Sequence, residues 1–298
     1  MFKKLSIPLL SLLLILTGTK ATLAETVMEK VARTGVLTLG INSELIPYSY
    51  VNDKGELDGY SMSIVNLVRQ QLEKELGKPV TLETVEAKTI ADRIPKLLTG
   101  EIDIACDTAF TWTRDKYVDF SVSYSITGIR LLVPKNSNLD APESLIDKRI
   151  AVIPNSVGEK AIKLAQPKAK LVPVENIEAG LIALKEGKVD GVAGDSILLD
   201  GARQKAGLLD TKLVPQTPFA SYGVACMIGQ HDPTFLRLVN FSIVGFMENY
   251  LAQEKTASGI VDRWLGPNGI TIVDPDVIRS FFNYTVITHE QIPPAETK

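Results

Sequence analysis

The chain has 298 residues, 45% hydrophobic and 22% charged, with a formal charge of −3. This composition excludes a disordered, collagen-like or coiled-coil chain, and the length allows about two compact domains of roughly 100–200 residues each. The charge supplies no broad basic surface for nucleic acid. Two His and two Cys, with Cys106 and Cys226 far apart, form no zinc-ligand pattern, so neither a metal nor another cofactor is expected.

In chain order, Met1 to Lys4 is a basic start, Leu9 to Leu16 an apolar run broken only by Ser11, and Thr17 to Ala24 a stretch rich in small residues. That is the layout of a secretory signal peptide, with cleavage expected after Ala24. The apolar core is shorter than the roughly 20 residues a spanning helix needs. Export to the periplasm of a soluble mature chain is therefore expected, with no Cys near the cut to carry a lipid anchor.

Gly35 to Ile41 predicts a first strand. Ser63 to Leu76 has the apolar period of a helix, stopped at Gly77. Val80 to Val85 predicts a strand, Thr89 to Leu98 a helix, and Glu101 to Cys106 a further strand ending at Asp107. Alternation of this kind predicts a mostly parallel sheet covered on both faces. The second half repeats the plan. Lys148 to Ile153 reads as a strand, and Ser156 to Glu159 has the form of a capping box. Leu97 to Asp103 parallels Leu184 to Asp190: helix end, Gly, charged residue, β-branched residue, Asp. Two strand-like runs, Thr127 to Pro134 and Ala220 to Ile228, cross between the halves and predict a two-strand hinge. Pro233 to Tyr250 and Glu254 to Leu265 read as helices returning to the first lobe.

Ligands of open α/β sheets bind beyond the carboxyl ends of the strands, here in the cleft between two lobes. Arg114 lies past a strand end and is either a bidentate carboxylate clamp or a surface charge. Asp195, at the matching place in the second lobe, either accepts an ammonium group or caps a helix. Ser156 and the Val157 amide stand at a helix N-terminus that can bind an anion or simply be capped. Thr108 and Thr111 offer hydroxyls. Phe110 and Trp112 either wall a ligand or belong to the core. Cys106 and Cys226 fall on neighbouring strands near the hinge, as a disulfide in an oxidising compartment or as two buried thiols.

At these residues the chain resembles a known family. The markers are Pro47 to Tyr50, Gly55 to Tyr60, Gly100 to Ile104, Arg114 with Tyr117 to Ser121, Lys148 to Val152, Asp190 to Asp195, Tyr222 to Val224, and Trp264 to Gly266. Their order is similar to the polar amino-acid-binding receptors of ABC importers, solute-binding protein family 3, and most of all to the glutamate/aspartate type. The resemblance implies an α/β fold of the two-lobed periplasmic-binding-protein type II. It has two mixed, mostly parallel sheets joined by the two-strand hinge. The expected division is a signal peptide (1–24), lobe 1 (25–129), lobe 2 (130–222), a return to lobe 1 (223–266) and a C-terminal extension (267–298). Arg114 matches the arginine that holds the α-carboxylate, Asp195 the aspartate that holds the α-ammonium, and Arg93 an arginine near the ligand. Asn42 stands where receptors for acidic ligands carry a second arginine. Asp107 to Thr111 and Asn155 to Val157 depart from the usual small and hydroxyl residues, which leaves the ligand's side chain open.

The function implied is a monomeric transport receptor that hands an amino acid to a membrane-embedded ABC permease. An orphan binder or sensor is the alternative from another class. An enzyme, as in the periplasmic dehydratases of this superfamily, would need an acid/base. Asp107 and Glu44 are the candidates, without an activating partner, so no enzyme is expected.

Overall fold

The computed structural model describes residues 25–230 and 232–288, so the predicted signal peptide lies outside the described residues. The first lobe begins with α1 (Val27–Thr34), β1 (Val36–Ile41), the small antiparallel strands β2 (Glu44–Leu45), β3 (Ser49–Val51) and β4 (Leu57–Asp58), and α2 (Tyr60–Leu76). It continues through β5 (Thr81–Glu86), α3 (Ile90–Leu98), β6 (Ile104–Ala109) and β7 (Val118–Phe120) to β8 (Ser125–Pro134). The second lobe contains β9 (Arg149–Val152), α4 (Val157–Ala165), β10 (Lys170–Pro173), α5 (Ile177–Lys185), β11 (Gly191–Asp195), α6 (Ser196–Lys205) and β12 (Thr211–Val214). The chain returns along β13 (Ala220–Gly229) to α7 (Pro233–Leu251), α8 (Lys255–Leu265) and α9 (Pro275–Ile287).

The main strand order is β5-β1-β6-β13-β8-β11-β9-β10. β1 is parallel to β5 and β6, and β9 is parallel to β10 and β11. Between these groups run β8 and β13, ten residues each and antiparallel to one another. β13 pairs with β8 over 220–224 and with β6 over 224–228, while β8 pairs with β11 over 129–132. The sequence predicts two sheets. The hinge strands bond to each other as well as to their lobes, so one hydrogen-bonded path runs through both.

Leu131 and Val133 point to the α4 face of the second lobe with Ile150 and Ile162, and Leu132 to the opposite face with Leu181 and Leu199. The period-2 alternation of a strand explains the split, and both faces are covered. The first-lobe core gathers Leu37, Leu39, Ile64 and Val68 with Phe235, Val239 and Trp264. Gly59 opens α2 at φ 138°, where an added Cβ would meet the Tyr48 carbonyl oxygen at 2.1 Å. The close approach lets the Tyr60 and Ser61 amides donate to the Pro47 and Tyr48 carbonyls. This tight corner starts α2 three residues before the position predicted from its apolar period.

The internal match is a shared brace. The Asp103 amide donates to the Thr38 carbonyl at 2.8 Å and its carboxylate accepts from the Thr38 amide at 2.8 Å. Asp190 does the same with Arg149, at 2.7 Å and 2.8 Å. Each aspartate thus locks the first strand of its lobe after a left-handed glycine, Gly100 or Gly187. The brace moves the start of β6 to Ile104, three residues later than predicted, and carries the strand past Asp107 to Ala109. Asp103 is buried and also holds Lys30, whereas the Asp190 side chain is 31% exposed. Asp103→Ala is expected to cost about 2 kcal/mol, because it strands a buried amide and an ammonium, and Asp190→Ala about half that. Urea unfolding of the two variants checks the order.

Between residues 268 and 288 the chain is packed against the rest of the protein. Phe282 of α9 meets Phe246 and Tyr250 at ring separations of 5.8 and 5.2 Å. The Thr271 hydroxyl donates to the Asp200 carboxylate on α6 at 2.8 Å. Both of these residues are buried.

Candidate functional site

The first-lobe strand end is shaped by a bulge. In β6, Thr108 pairs with Ala225 and Ala105 with Met227, so Cys106 and Asp107 face Cys226 alone. Asp107 takes the left-handed conformation at φ 60°, which Asp tolerates better than most residues. Cys106 and Cys226 form a disulfide across this bulge, with Cα atoms 3.8 Å apart, and no described cysteine is free. The alternative of two buried thiols is therefore set aside.

Arg93 projects from α3 into the bulge and is 2% exposed. Its Nε donates to the Ala87 carbonyl at 2.8 Å, and its Nη1 to the Cys106 carbonyl at 2.6 Å and the Thr108 hydroxyl at 3.1 Å. Arg93 and Thr108 thus scaffold the strand end. The helix predicted from Thr89 is formed as α3, and Thr89 with Asp92 closes a capping box at its start. Past β6 a tight turn brings the Arg114 amide onto the Thr111 carbonyl. One guanidinium nitrogen, Nη1, then donates to the Ala109 carbonyl at 2.7 Å. Loss of water around the half-buried guanidinium lowers its pKa from the usual value.

In the second lobe Asp195 ends β11 and caps α6. Its Oδ1 accepts from the Ile197 and Leu198 amides at 2.8 and 3.1 Å and from the Thr127 hydroxyl at 2.8 Å. Among the described residues its Oδ2 accepts only from the Tyr222 hydroxyl, at 2.8 Å, which leaves that oxygen room for another donor. Burial pushes the Asp195 carboxyl pKa up, against the pull of these hydrogen bonds. Thr127 and Tyr222 are cross-strand partners in the hinge, so both hinge strands grip this carboxylate. Burial also raises the pKa of Tyr222, while the nearby Arg114 charge acts to lower it. The Tyr222 hydroxyl thus binds the aspartate of one lobe and feels the charge of the arginine of the other. Thr127 and Tyr222 are absent from the sequence-predicted site, although both lie on the predicted hinge strands.

A cavity of about 630 Å³ opens beside Arg114. The apolar side of α3, Thr111 and Arg114 line it from one lobe, and Asn155, Val157 and Lys160 from the other. Three predicted residues, Thr111, Arg114 and Val157, thus share one space, with Asp195 and Thr108 set back from it. Ser156 caps α4 by accepting from the Glu159 amide at 3.1 Å, but the Glu159 carboxylate takes the Asn155 amide at 2.7 Å. The predicted box is displaced by one residue because Asn155 turns left-handed at φ 60°. Phe110 packs edge-on against Trp112 and Phe120, at 4.9 and 5.2 Å, away from the cavity lining. Asn42 is held in a loop, accepting from the Glu44 amide and donating to the Lys88 carbonyl. Among the described residues no cluster of three His, Cys, Asp or Glu side chains is arranged to hold a metal ion.

Residues 37–267 match the family described as bacterial extracellular solute-binding proteins, family 3. The chain belongs to this family. Membership places it outside the cytoplasm. An L-glutamate/L-aspartate-binding protein of Pseudomonas aeruginosa is 29% identical over 260 residues, covering 83% of this chain and 84% of its own. A glutamate/aspartate import solute-binding protein of Escherichia coli is 26% identical over 246 residues, 81% of this chain and 78% of its own. Among solved structures, an arginine-binding protein from T. maritima shares the two-lobed periplasmic-binding-protein fold. It superposes with a TM-score of 0.67 at 22% identity, over 80% of this chain and 98% of its own.

Proposed function

We propose that this family 3 protein is the periplasmic receptor of an ABC importer, that it binds a polar α-amino acid between its lobes, and that as a monomer it delivers that ligand to a membrane permease. The observation that carries the reading is the arrangement around Tyr222. Arg114 comes from one lobe and Asp195 from the other, and both bear on a hydroxyl of the hinge strand. Arg114 holds the α-carboxylate with its uncommitted nitrogens, and Asp195 Oδ2 accepts from the α-ammonium. Thr111 and the Val157 amide, oriented by Ser156, complete the carboxylate's shell. Arg93, Thr108 and Asn42 shape the floor beneath. The enzyme alternative gains nothing from its acid/base candidates. Asp107 is engaged by Ser49 and Tyr124, and Glu44 is ion-paired to Lys88.

A ligand that bridges the lobes favours their closed arrangement. Small-angle scattering of the refolded, ligand-stripped protein is expected to show compaction when a binding amino acid is added. An unchanged radius at saturation would argue against the hinge mechanism.

Asp195→Asn separates capping from binding. The amide oxygen still accepts from Ile197, Leu198 and Thr127, and no buried charge remains. Because the folded-state pKa of Asp195 is raised, its ionised form opposes folding at neutral pH, and stability from this group grows as pH falls through that raised value. The variant is therefore expected to melt at or above the wild-type temperature. It should also bind its amino acid about tenfold or more weakly, through loss of a charged hydrogen bond. Wild-type affinity is expected to fall on acidification for the same reason, as the carboxylate that attracts the ammonium is protonated. Calorimetric titration across pH measures both effects.

A further inference from the structure

Ligands of open α/β sheets lie along the carboxyl ends of the strands. In the sheet β13 lies nearest the hinge, followed by β6, β1 and β5, so the floor farther out is made by the ends of β1 and β5. Those ends lead to Glu44 and Glu86, and the end of β10 in the other lobe leads to Glu175. Lys88 is ion-paired with Glu44, and the Glu86 carboxylate accepts from the Ser43 hydroxyl. Nearer the hinge stands half-buried Asp107, its Oδ2 2.5 Å from the Ser49 hydroxyl and its Oδ1 3.3 Å from the Tyr124 hydroxyl. Those two bonds leave part of the carboxylate's acceptor capacity open.

The cation beside Asp107 is withdrawn. Arg93 gives Nε and Nη1 to Ala87, Cys106 and Thr108, and its Nη2 is buried without a partner, out of reach from the cleft. Burial lowers the pKa of that guanidinium, and the nearby Asp107 charge acts against the shift. The strand ends on this side thus carry one ion-paired lysine and one sealed arginine beside four carboxylates. Arg114 and Lys160 line the cavity at the α-carboxylate end instead.

We propose that the ligand is an α-amino acid whose side chain ends in a nitrogen donor, a carboxamide or a cation, and that Asp107 with its acidic neighbours excludes side-chain carboxylates. The inference rests on the amino-acid-receptor reading. It sets this chain apart from the relatives named for glutamate and aspartate.

The test is calorimetric titration of the refolded, ligand-stripped protein with glutamine, asparagine, arginine and lysine against glutamate and aspartate. At least one nitrogen-bearing ligand is expected to bind about tenfold or more tightly than either acid, since like charges brought together across an interface cost at least that much. Glutamate or aspartate binding as tightly as any of them overturns the inference and leaves the receptor reading standing. Absence of binding by every α-amino acid removes the receptor reading and this inference with it. Asp107→Asn keeps the bonds to Ser49 and Tyr124 and tolerates the same backbone. It should narrow the preference against the acids by about tenfold. An unchanged preference would clear Asp107 of the role.

Discussion

Replacing Arg114 with alanine is expected to weaken amino-acid binding more than a hundredfold. A carboxylate drawn into the cleft loses its water, and without the guanidinium it faces only Thr111 and backbone amides. Stranding one partner of a buried charged pair costs on the order of 3 kcal/mol, which corresponds to that loss. Arg114→Lys should recover only part of it, because an ammonium reaches the site as a point charge and lacks the planar fork. The fold should survive both changes. The guanidinium contributes a single described hydrogen bond, to the Ala109 carbonyl, and the turn that carries it is held by backbone bonds. Calorimetry with the amino acid that binds wild type best, alongside thermal melts, separates binding from folding. Wild-type affinity in Arg114→Ala would overturn the assignment of the carboxylate clamp.

The second large effect concerns the bridge between Cys106 and Cys226, which are 120 residues apart. Closing a loop of that length removes entropy from the unfolded chain worth about 5 kcal/mol in the chain-entropy account. The Cys106→Ala, Cys226→Ala double variant is expected to melt about 10–20 °C lower than wild type. Alanine at two fully packed positions adds some lost contact to that figure. The bridge also fixes the bulge beside Asp107 and Thr108, so ligand affinity should drop even at temperatures where the variant is folded. Equal melting temperatures for the oxidised protein and the variant would remove the stabilising role.

Local chemistry made much of this architecture legible. Thr89 and Asp92 announce α3 because a capping box is satisfied within one turn. Arg114 and Asp195 stand out because strand ends, glycine stops and acid positions recur in both halves. The start of β6 was not legible, since nothing near Glu101 says that the Asp103 carboxylate is claimed by an amide on β1. Arg93 drew attention as a charge near the cleft, yet its partners are carbonyls at the end of another strand, visible only after α3 packs there. Tyr222 and Thr127 stand in the sequence as a family marker and a hinge-strand residue, and their place in the site is hidden for the same reason. Each is an ordinary strand residue until β8 and β13 pair and bring both hydroxyls to Asp195, an interaction across 68 residues for one and 27 for the other.

The bond from Thr271 to Asp200 bears on how the lobes travel. Two neighbouring strands form a strap that can flex and can also wring, so by themselves they leave lobe 2 more than one way to move. The segment before α9 is a third attachment, fixed to α6, the helix that Asp195 caps. A third tie of this kind narrows those motions. Any movement of lobe 2 has to carry or break the bond at Asp200, which sits in the same helix that Asp195 caps.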